Sequence, residues 1–272
     1  MSRVEERESN LLLKAKPPTE GYSKIIGRGE MGLKHLEFGL LRLTFGEWSC
    51  ETGECEHGLD IYSGITNIES ETFTYKHVGS RKNAFDGPPT AVYLPPGTSY
   101  HIQVIEGPFE AAVFSVYAPG FNGEPAVICP EDTITKTAGQ DNWSREIYTS
   151  IGDNISAVKL LMGETVNPPG NWSGWPPHKH DAFNPPNEVG LEEIYYFQVN
   201  PAQGFGIIRV YTQPNDPSPM DEIYVVENGD TVVIPRGYHP VAAAPGCTLH
   251  YTWAMAGEIR KFGAVSLDPH HT

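Results

Sequence analysis

Basic residues are scarce in this chain: 19 Lys and Arg stand against 34 Asp and Glu, a formal net charge of −15. So acidic a surface repels phosphate backbones and anionic lipid headgroups, which argues against nucleic acid and membrane surfaces as partners. An anionic small molecule remains admissible, but only beside a local cation. Cysteine is sparse too. The four thiols at 50, 55, 129 and 247 include no Cys-x-x-Cys pair. Cys50 and Cys55 stand among Glu51, Glu54, Glu56 and His57, a stretch that reads as a solvated acidic loop. The first residues, Met1-Ser-Arg-Val-Glu-Glu-Arg-Glu-Ser, hold no apolar signal core, and no hydrophobic run approaches a membrane span. These absences lead us to expect a cytoplasmic protein with reduced thiols.

What is abundant is punctuation. The 28 glycines and 24 prolines fall between short apolar runs rich in Val, Ile, Tyr and Thr, which suits many strands and turns rather than long helices. Strands are expected at 37–45, 59–66, 71–78, 90–94, 101–106 and 111–117. A second set is expected at 156–164, 192–199, 206–211, 222–226, 230–234 and 248–254. Residues 131–155 read as a linker with a short helix over Ser144–Ile151, capped by Asp141 or Asn142.

The chain echoes itself. Gly46-Glu-Trp48-Ser49 returns as Gly170-Asn-Trp172-Ser173, Asp60-Ile-Tyr62 as Glu193-Ile-Tyr195, and Pro95-Pro-Gly97-Thr-Ser-Tyr-His101 as Pro235-Arg-Gly237-Tyr-His239. The offsets are 124, 133 and about 140 residues, always in the same order. Three ordered echoes imply two copies of one domain, an N-terminal unit at 1–135 and a C-terminal unit at 136–272. Short antiparallel strands at this spacing imply an all-β fold of two tandem double-sheet jelly rolls.

Chemistry concentrates in the second copy. In Trp175-Pro-Pro-His178-Lys-His180-Asp181, strand alternation puts His178 and His180 on one face. With Glu193 on a neighbouring strand and His239 after a Pro-Gly turn, they form a candidate four-ligand metal set with coordination positions left open for a substrate. Glu188 and Glu192 compete with Glu193 for the carboxylate position. The first copy has no His-x-His and keeps only Asp60 and His101 at the echoing places, so it reads as a unit without metal.

The string Pro168-Pro-Gly-Asn-Trp-Ser-Gly-Trp-Pro-Pro-His-Lys-His-Asp181, with Glu192-Glu-Ile-Tyr-Tyr-Phe197 and Gly229-Asp-Thr-Val-Val-Ile-Pro-Arg-Gly-Tyr-His-Pro240, resembles one branch of the cupin superfamily. That branch is the 5-deoxy-glucuronate isomerases of myo-inositol catabolism, related to the 5-keto-4-deoxyuronate isomerases of pectin breakdown. Ser9-Asn-Leu-Leu and Phe85-Asp-Gly-Pro-Pro extend the likeness over nearly the whole chain. The resemblance implies a bicupin with one divalent metal held by His178, His180, Glu193 and His239. Zn is the first expectation, with Mn, Fe and Ni also tolerated. It also implies a uronic acid substrate and interconversion of an aldose with a ketose.

Such a reaction needs a proton-handling group and a cation for the substrate carboxylate. Tyr195, Glu188, Glu192 or a metal-bound hydroxide could move the proton, and hydride transfer would dispense with a base. Arg236 is the first choice for the carboxylate, followed by Lys179 and Arg209. The competing readings are a metal-dependent dioxygenase and a non-catalytic sugar-acid-binding bicupin. Exposed edges of two β-rich domains also favour a homo-oligomer.

Overall fold

Strands dominate because the β-branched and aromatic runs find partners far along the chain. The computed structural model describes residues 10–121 and 123–271, so the first nine residues read above lie outside the described ones. Among the described residues the one helical segment is the 3-10 turn Asp141–Trp143, and no helix is long and apolar enough to cross a membrane.

In the first copy, Gly21–Ile26, Leu36–Leu43, Ser99–Tyr117, Cys55–Glu69, Thr90–Leu94 and Ala126–Ile128 lie side by side in that order. Glu47–Glu51 adds to Ser99–Tyr117, and Thr74–Val78 to Cys55–Glu69. The two long strands each serve both layers of a sandwich. Their mutual register shifts between Ile61 and Thr66. Gly64 marks this bend with a φ of +85°, and a Cβ there would come within 2.8 Å of Phe109 Cα. A residue without a side chain is what lets the paired strands fold over. The runs expected at 101–106 and 111–117 are thus one strand, bent but unbroken.

In the second copy the corresponding bends are open turns. Glu192–Asn200 is separate from Phe205–Tyr211, and Val241–Ala243 from Thr248–Ala256. One sheet runs Leu12–Leu13, Thr231–Ile234, Glu192–Asn200, Thr248–Ala256, Leu161–Asn167, Arg145–Ile151 and Ile134–Ala138. The facing sheet runs Trp172–Ser173, Val241–Ala243, Phe205–Tyr211 and Asp221–Glu227. The pair His178–Lys179 and Ser266–Leu267 stands apart. The fold is all-β, a tandem of double-sheet jelly rolls of the cupin type, although the sheets keep open edges and do not close into barrels.

Two expectations need correction. The segment 144–151 is not a helix: Arg145–Ile151 is a strand between Ile134–Ala138 and Leu161–Asn167. Ile147, Tyr148, Thr149 and Ile151 favour a pleated surface, and Asp141 caps nothing: it is the first residue of the short turn, which has no side-chain cap. The stretch after Cys55 is likewise not a solvated loop, since Glu56 and His57 are buried within a strand.

The strand registers also refine the repeat. His57 pairs with Leu94 where Glu193 pairs with Ile234. Glu56 pairs with Val116 where Glu192 pairs with Ala256. His57, not Asp60, therefore occupies the place of Glu193, and Asp60 that of Tyr196. His101 lies opposite Ser49 as Val241 lies opposite Ser173. It is the counterpart of Val241 rather than of His239.

The copies share a core. Phe38, Tyr62 and Phe114 from the first pack with Met162, Tyr196 and Ala254 from the second. Buried in the same region, Arg81 donates through both terminal nitrogens to the Glu164 carboxylate at 2.8 Å. This geometry suits a desolvated ion pair that must satisfy its own hydrogen bonds.

Candidate metal centre

Three elements bring the histidines together. His178 sits on the short strand against Ser266–Leu267. His180 follows it, and the excursion to Glu193 closes on itself: the Leu191 N–H donates to the His180 carbonyl at 2.7 Å. Twelve intervening residues therefore still deliver Glu193 beside His180. His239 ends the turn Pro235-Arg-Gly237-Tyr-His239. Gly237 has a φ of +93°, and a Cβ there would approach the Tyr211 carbonyl to 2.6 Å, so the turn requires glycine. The Gly237 N–H donates to Asp181 Oδ2 at 2.7 Å. Asp181 thus ties the His-Lys-His segment to the His239 turn.

A potential ligand nitrogen from each of His178, His180 and His239 lies within 4.8 Å of the others. Glu193 Oε2 is 3.2 Å from His180 Nε2 and 3.3 Å from His239 Nε2. The opposite ring nitrogens each face a backbone carbonyl: His178 Nδ1 that of Pro176 at 3.4 Å, His180 Nδ1 that of Leu191 at 2.8 Å, and His239 Nδ1 that of Gly237 at 2.9 Å. A carbonyl can only accept, so these contacts put a hydrogen on each Nδ1 and turn each Nε2 toward the common centre, where that of His180 also lies within hydrogen-bond distance of Glu193 Oε2. His239 Nε2 is buried without a hydrogen-bond partner. Imidazole nitrogens and a carboxylate gathered at one buried point suit a cation there.

Two of the three histidines are held neutral. Burial, with His180 nearby, pushes His178 down to about 4. Burial and the two neighbouring histidines hold His239 well below its usual value. Both are neutral at physiological pH, the state a metal ligand needs. Burial opposes charge on His180, but Glu193 outweighs it and raises that histidine.

The rival carboxylates are engaged elsewhere. Glu188 accepts from the Asp181 and Ala182 N–H groups and from Lys179. Glu192 accepts from the N–H groups of Lys34, His35 and Leu36.

A cavity of about 340 Å³ opens onto the centre, lined among others by His178, His180, Glu193, Tyr195, Tyr251 and Trp253. Tyr195 packs against Tyr251 at 4.4 Å between centroids and against His239 at 5.9 Å. Burial and the neighbouring Glu193 raise its hydroxyl well above the usual tyrosine range, so it carries its proton.

The expected carboxylate partner is not brought to this cavity. Arg236 pairs with Asp216 at 2.9 Å and donates to the Ser218 carbonyl. Lys179 is bound to Asp181 and Glu188, and Arg209 to Asp221. The cations that do line the cavity, Lys136 and Arg145, lie in the segment read as linker and helix. With that segment read as a hairpin of strands, alternation would have drawn attention to them.

A double-sheet jelly roll with three inward histidines and a carboxylate beside an open cavity defines a cupin-type enzyme with a candidate metal site. More narrowly, the chain belongs to the KduI/IolB family, whose description it matches over residues 12–272. It is 38% identical over 258 residues to the 5-deoxy-glucuronate isomerase of Geobacillus thermodenitrificans, covering 94% of this chain and 92% of that one. It is 35% identical over 243 residues to that of Bacillus subtilis strain 168, covering 88% and 87%. The crystal structure of an IolB-like protein from Salmonella typhimurium superposes with a TM-score of 0.89 at 31% identity, covering 97% of this chain and 98% of that one. Oxalate decarboxylase from Lactobacillus farciminis shares the fold alone, with a TM-score of 0.62 at 13% identity, covering 93% and 87%.

Proposed function

We propose that this protein is a metal-dependent 5-deoxy-glucuronate isomerase of myo-inositol catabolism, acting in the cytoplasm. It converts 5-deoxy-D-glucuronate to 5-dehydro-2-deoxy-D-gluconate. The observation that supports the metal dependence is the cluster of His178, His180 and His239, each oriented by a backbone carbonyl, with the Glu193 carboxylate beside His180 and His239. The isomerase reading comes from curated relatives that match most of the chain. The unit at 1–135 serves as scaffold and the unit at 136–272 carries the site, with Leu12–Leu13 and the strand Ile134–Ala138 joining the sheet of the second unit.

The reaction moves one hydrogen from the hydroxyl-bearing carbon to the neighbouring aldehyde carbon and one between the two oxygens. No external oxidant is needed. A divalent ion held by His178, His180, Glu193 and His239 would act as a Lewis acid toward the two oxygens as charge develops on them. Zinc suits three imidazoles and a carboxylate, and Mn, Fe and Ni tolerate them too. The ligand set contributes one formal negative charge, so the centre stays positive toward the substrate. Tyr195 is our choice for the proton-donating side chain. It lines the cavity, holds its proton and stands beside the histidines. Tyr251, Trp253 and Met255 wall the cavity with apolar surface, which limits water and strengthens the hydrogen bonds made inside.

The test is incubation of the purified protein with 5-deoxy-D-glucuronate under anaerobic conditions. The ketose product should accumulate without oxygen uptake. Conversion that requires oxygen would assign the site to oxidative chemistry instead.

A further inference from the structure

The chain carries far more acid than base, and most of its arginines are committed. Arg42 pairs with Glu110, Arg81 with Glu164, Arg209 with Asp221 and Arg236 with Asp216. Arg260 donates to the carbonyls of Leu160 and Gly152. Arg145 differs. It donates to the Trp143 carbonyl at 3.2 Å, its Nε is buried without a partner, and among the described residues no carboxylate pairs with it. Burial lowers it from the usual arginine range. A cation kept partly desolvated and without a counter-ion is costly unless a ligand supplies the missing charge.

Its placement says which ligand. Lys136 lies opposite Ile147 and Ala138 opposite Arg145 across the 134–151 hairpin. Period-two alternation then puts Lys136, Arg145 and Ile147 on one face, and all three line the cavity that reaches His178 and His180. In sheet order the Glu193 strand comes first, then the strand of Tyr251 and Trp253, then that of Thr165, then that of Arg145, with Lys136 on the next. The strand of Arg145 therefore stands about 14 Å along the sheet from the Glu193 strand, and that of Lys136 about 19 Å. An arginine side chain reaches back part of that way. The cavity thus has a histidine end and a cationic end, as a molecule with a carbonyl at one terminus and an anion at the other requires.

We propose that Arg145, assisted by Lys136, binds the carboxylate of the sugar acid and sets the preference for a uronate over a neutral aldose. This rests on the isomerase reading for the identity of the reacting end. The planar guanidinium suits two-point contact with a carboxylate, and the exposed Lys136 adds a point charge.

The test compares Arg145→Gln, Arg145→Lys and Lys136→Gln with the parent holoenzyme on two substrates. One is 5-deoxy-D-glucuronate. The other is the neutral aldose of the same chain, ending in a hydroxymethyl group. For the acid, Arg145→Gln should raise KM about 10- to 100-fold, the loss expected for a charge-assisted hydrogen bond, while kinetics on the neutral sugar stay near those of the parent. Arg145→Lys should recover part of the preference, and Lys136→Gln should lose only a few-fold. Metal content and the β-type circular dichroism spectrum should not change. Equal losses on both substrates would mean a structural role and overturn the proposal, as would an unchanged KM for the acid. If the parent enzyme does not turn over the acid, the isomerase reading fails by itself. Calorimetric binding of D-glucuronate to parent and Arg145→Gln then decides the cationic end: weaker binding by the variant supports it and equal binding overturns it.

Discussion

Glu56 and Glu192 clamp the two halves of the molecule by the same device used twice. Glu56 accepts from the N–H groups of Val158, Lys159 and Leu160 at 2.7–2.8 Å. Glu192 accepts from those of Lys34, His35 and Leu36 at 2.6–2.7 Å. Each carboxylate reaches from one copy into the strand entrance of the other. Matching strand registers make the two residues counterparts in the repeat. The N–H groups sit at the edge of a shared core, where few other acceptors are within reach.

Glu192→Ala should therefore destabilise the protein by about 2–5 kcal/mol, because three N–H groups lose a charged acceptor. Denaturant unfolding measures this. The folded variant should keep its metal, whereas Glu193→Ala should lose it. Elemental analysis of the two adjacent variants separates a structural carboxylate from a ligating one.

Acid stability should depend on His57. Burial lowers this histidine to about 4 in the folded protein, below the value near 6.5 of an unfolded chain. The folded state prefers it neutral, so the unfolded state binds more protons between these values. Stability is complete above pH 6.5 and falls as the pH drops from 6.5 toward 4, by about 3 kcal/mol from this residue. His57→Asn should flatten that limb relative to the parent in unfolding curves measured across the range. Glu164 titrates lower. Burial opposes its charge, but Arg81 and His250 hold it to about 2. Its contribution is present above the unfolded value near 4.5 and disappears as the pH falls toward 2.

Tyr195→Phe removes one oxygen at the cavity wall and leaves the ring packing against Tyr251 intact. If its hydroxyl serves charge developing on the substrate, kcat should fall about 10²- to 10³-fold with little change in KM. Steady-state kinetics at saturating metal would show a fall in kcat without a matching rise in KM.

Gly64→Ala should impair folding, because the added carbon meets the Phe109 backbone at a positive φ. The penalty should reach several kcal/mol, read as a lowered Tm.

Some of this was legible from local spacing. His178 and His180 are two apart on a strand, and His239 follows a Pro-Gly turn, so the histidine cluster could be read without knowing how the sheets pack. Alternation put Tyr195 on the face of Glu193 but left Glu188 and Glu192 as rivals, whose hydrogen-bond partners elsewhere only the fold reveals. Long-range partners were not legible. Glu56 looked like part of an acidic loop because the N–H groups it satisfies lie more than 100 residues away. Arg236 looked free beside its turn because nothing nearby in sequence reveals Asp216 as its partner. Arg145 was hidden by a capping signal read at Asp141, which lies inside a short 3-10 turn and caps no helix. The echo of Asp60 with Glu193 was displaced by three residues, since Ile-Tyr occurs after both and strand pairing alone sets the register.

In the proposed function, His178, His180, Glu193 and His239 hold one divalent ion that the isomerisation requires. The most direct measurement is anaerobic turnover of 5-deoxy-D-glucuronate before chelation, after chelation and after titration of metal back into the stripped enzyme, with elemental analysis at each stage. Activity should disappear with the metal, return at one ion per chain, and not return in His239→Ala. Full turnover by the metal-free enzyme would contradict it.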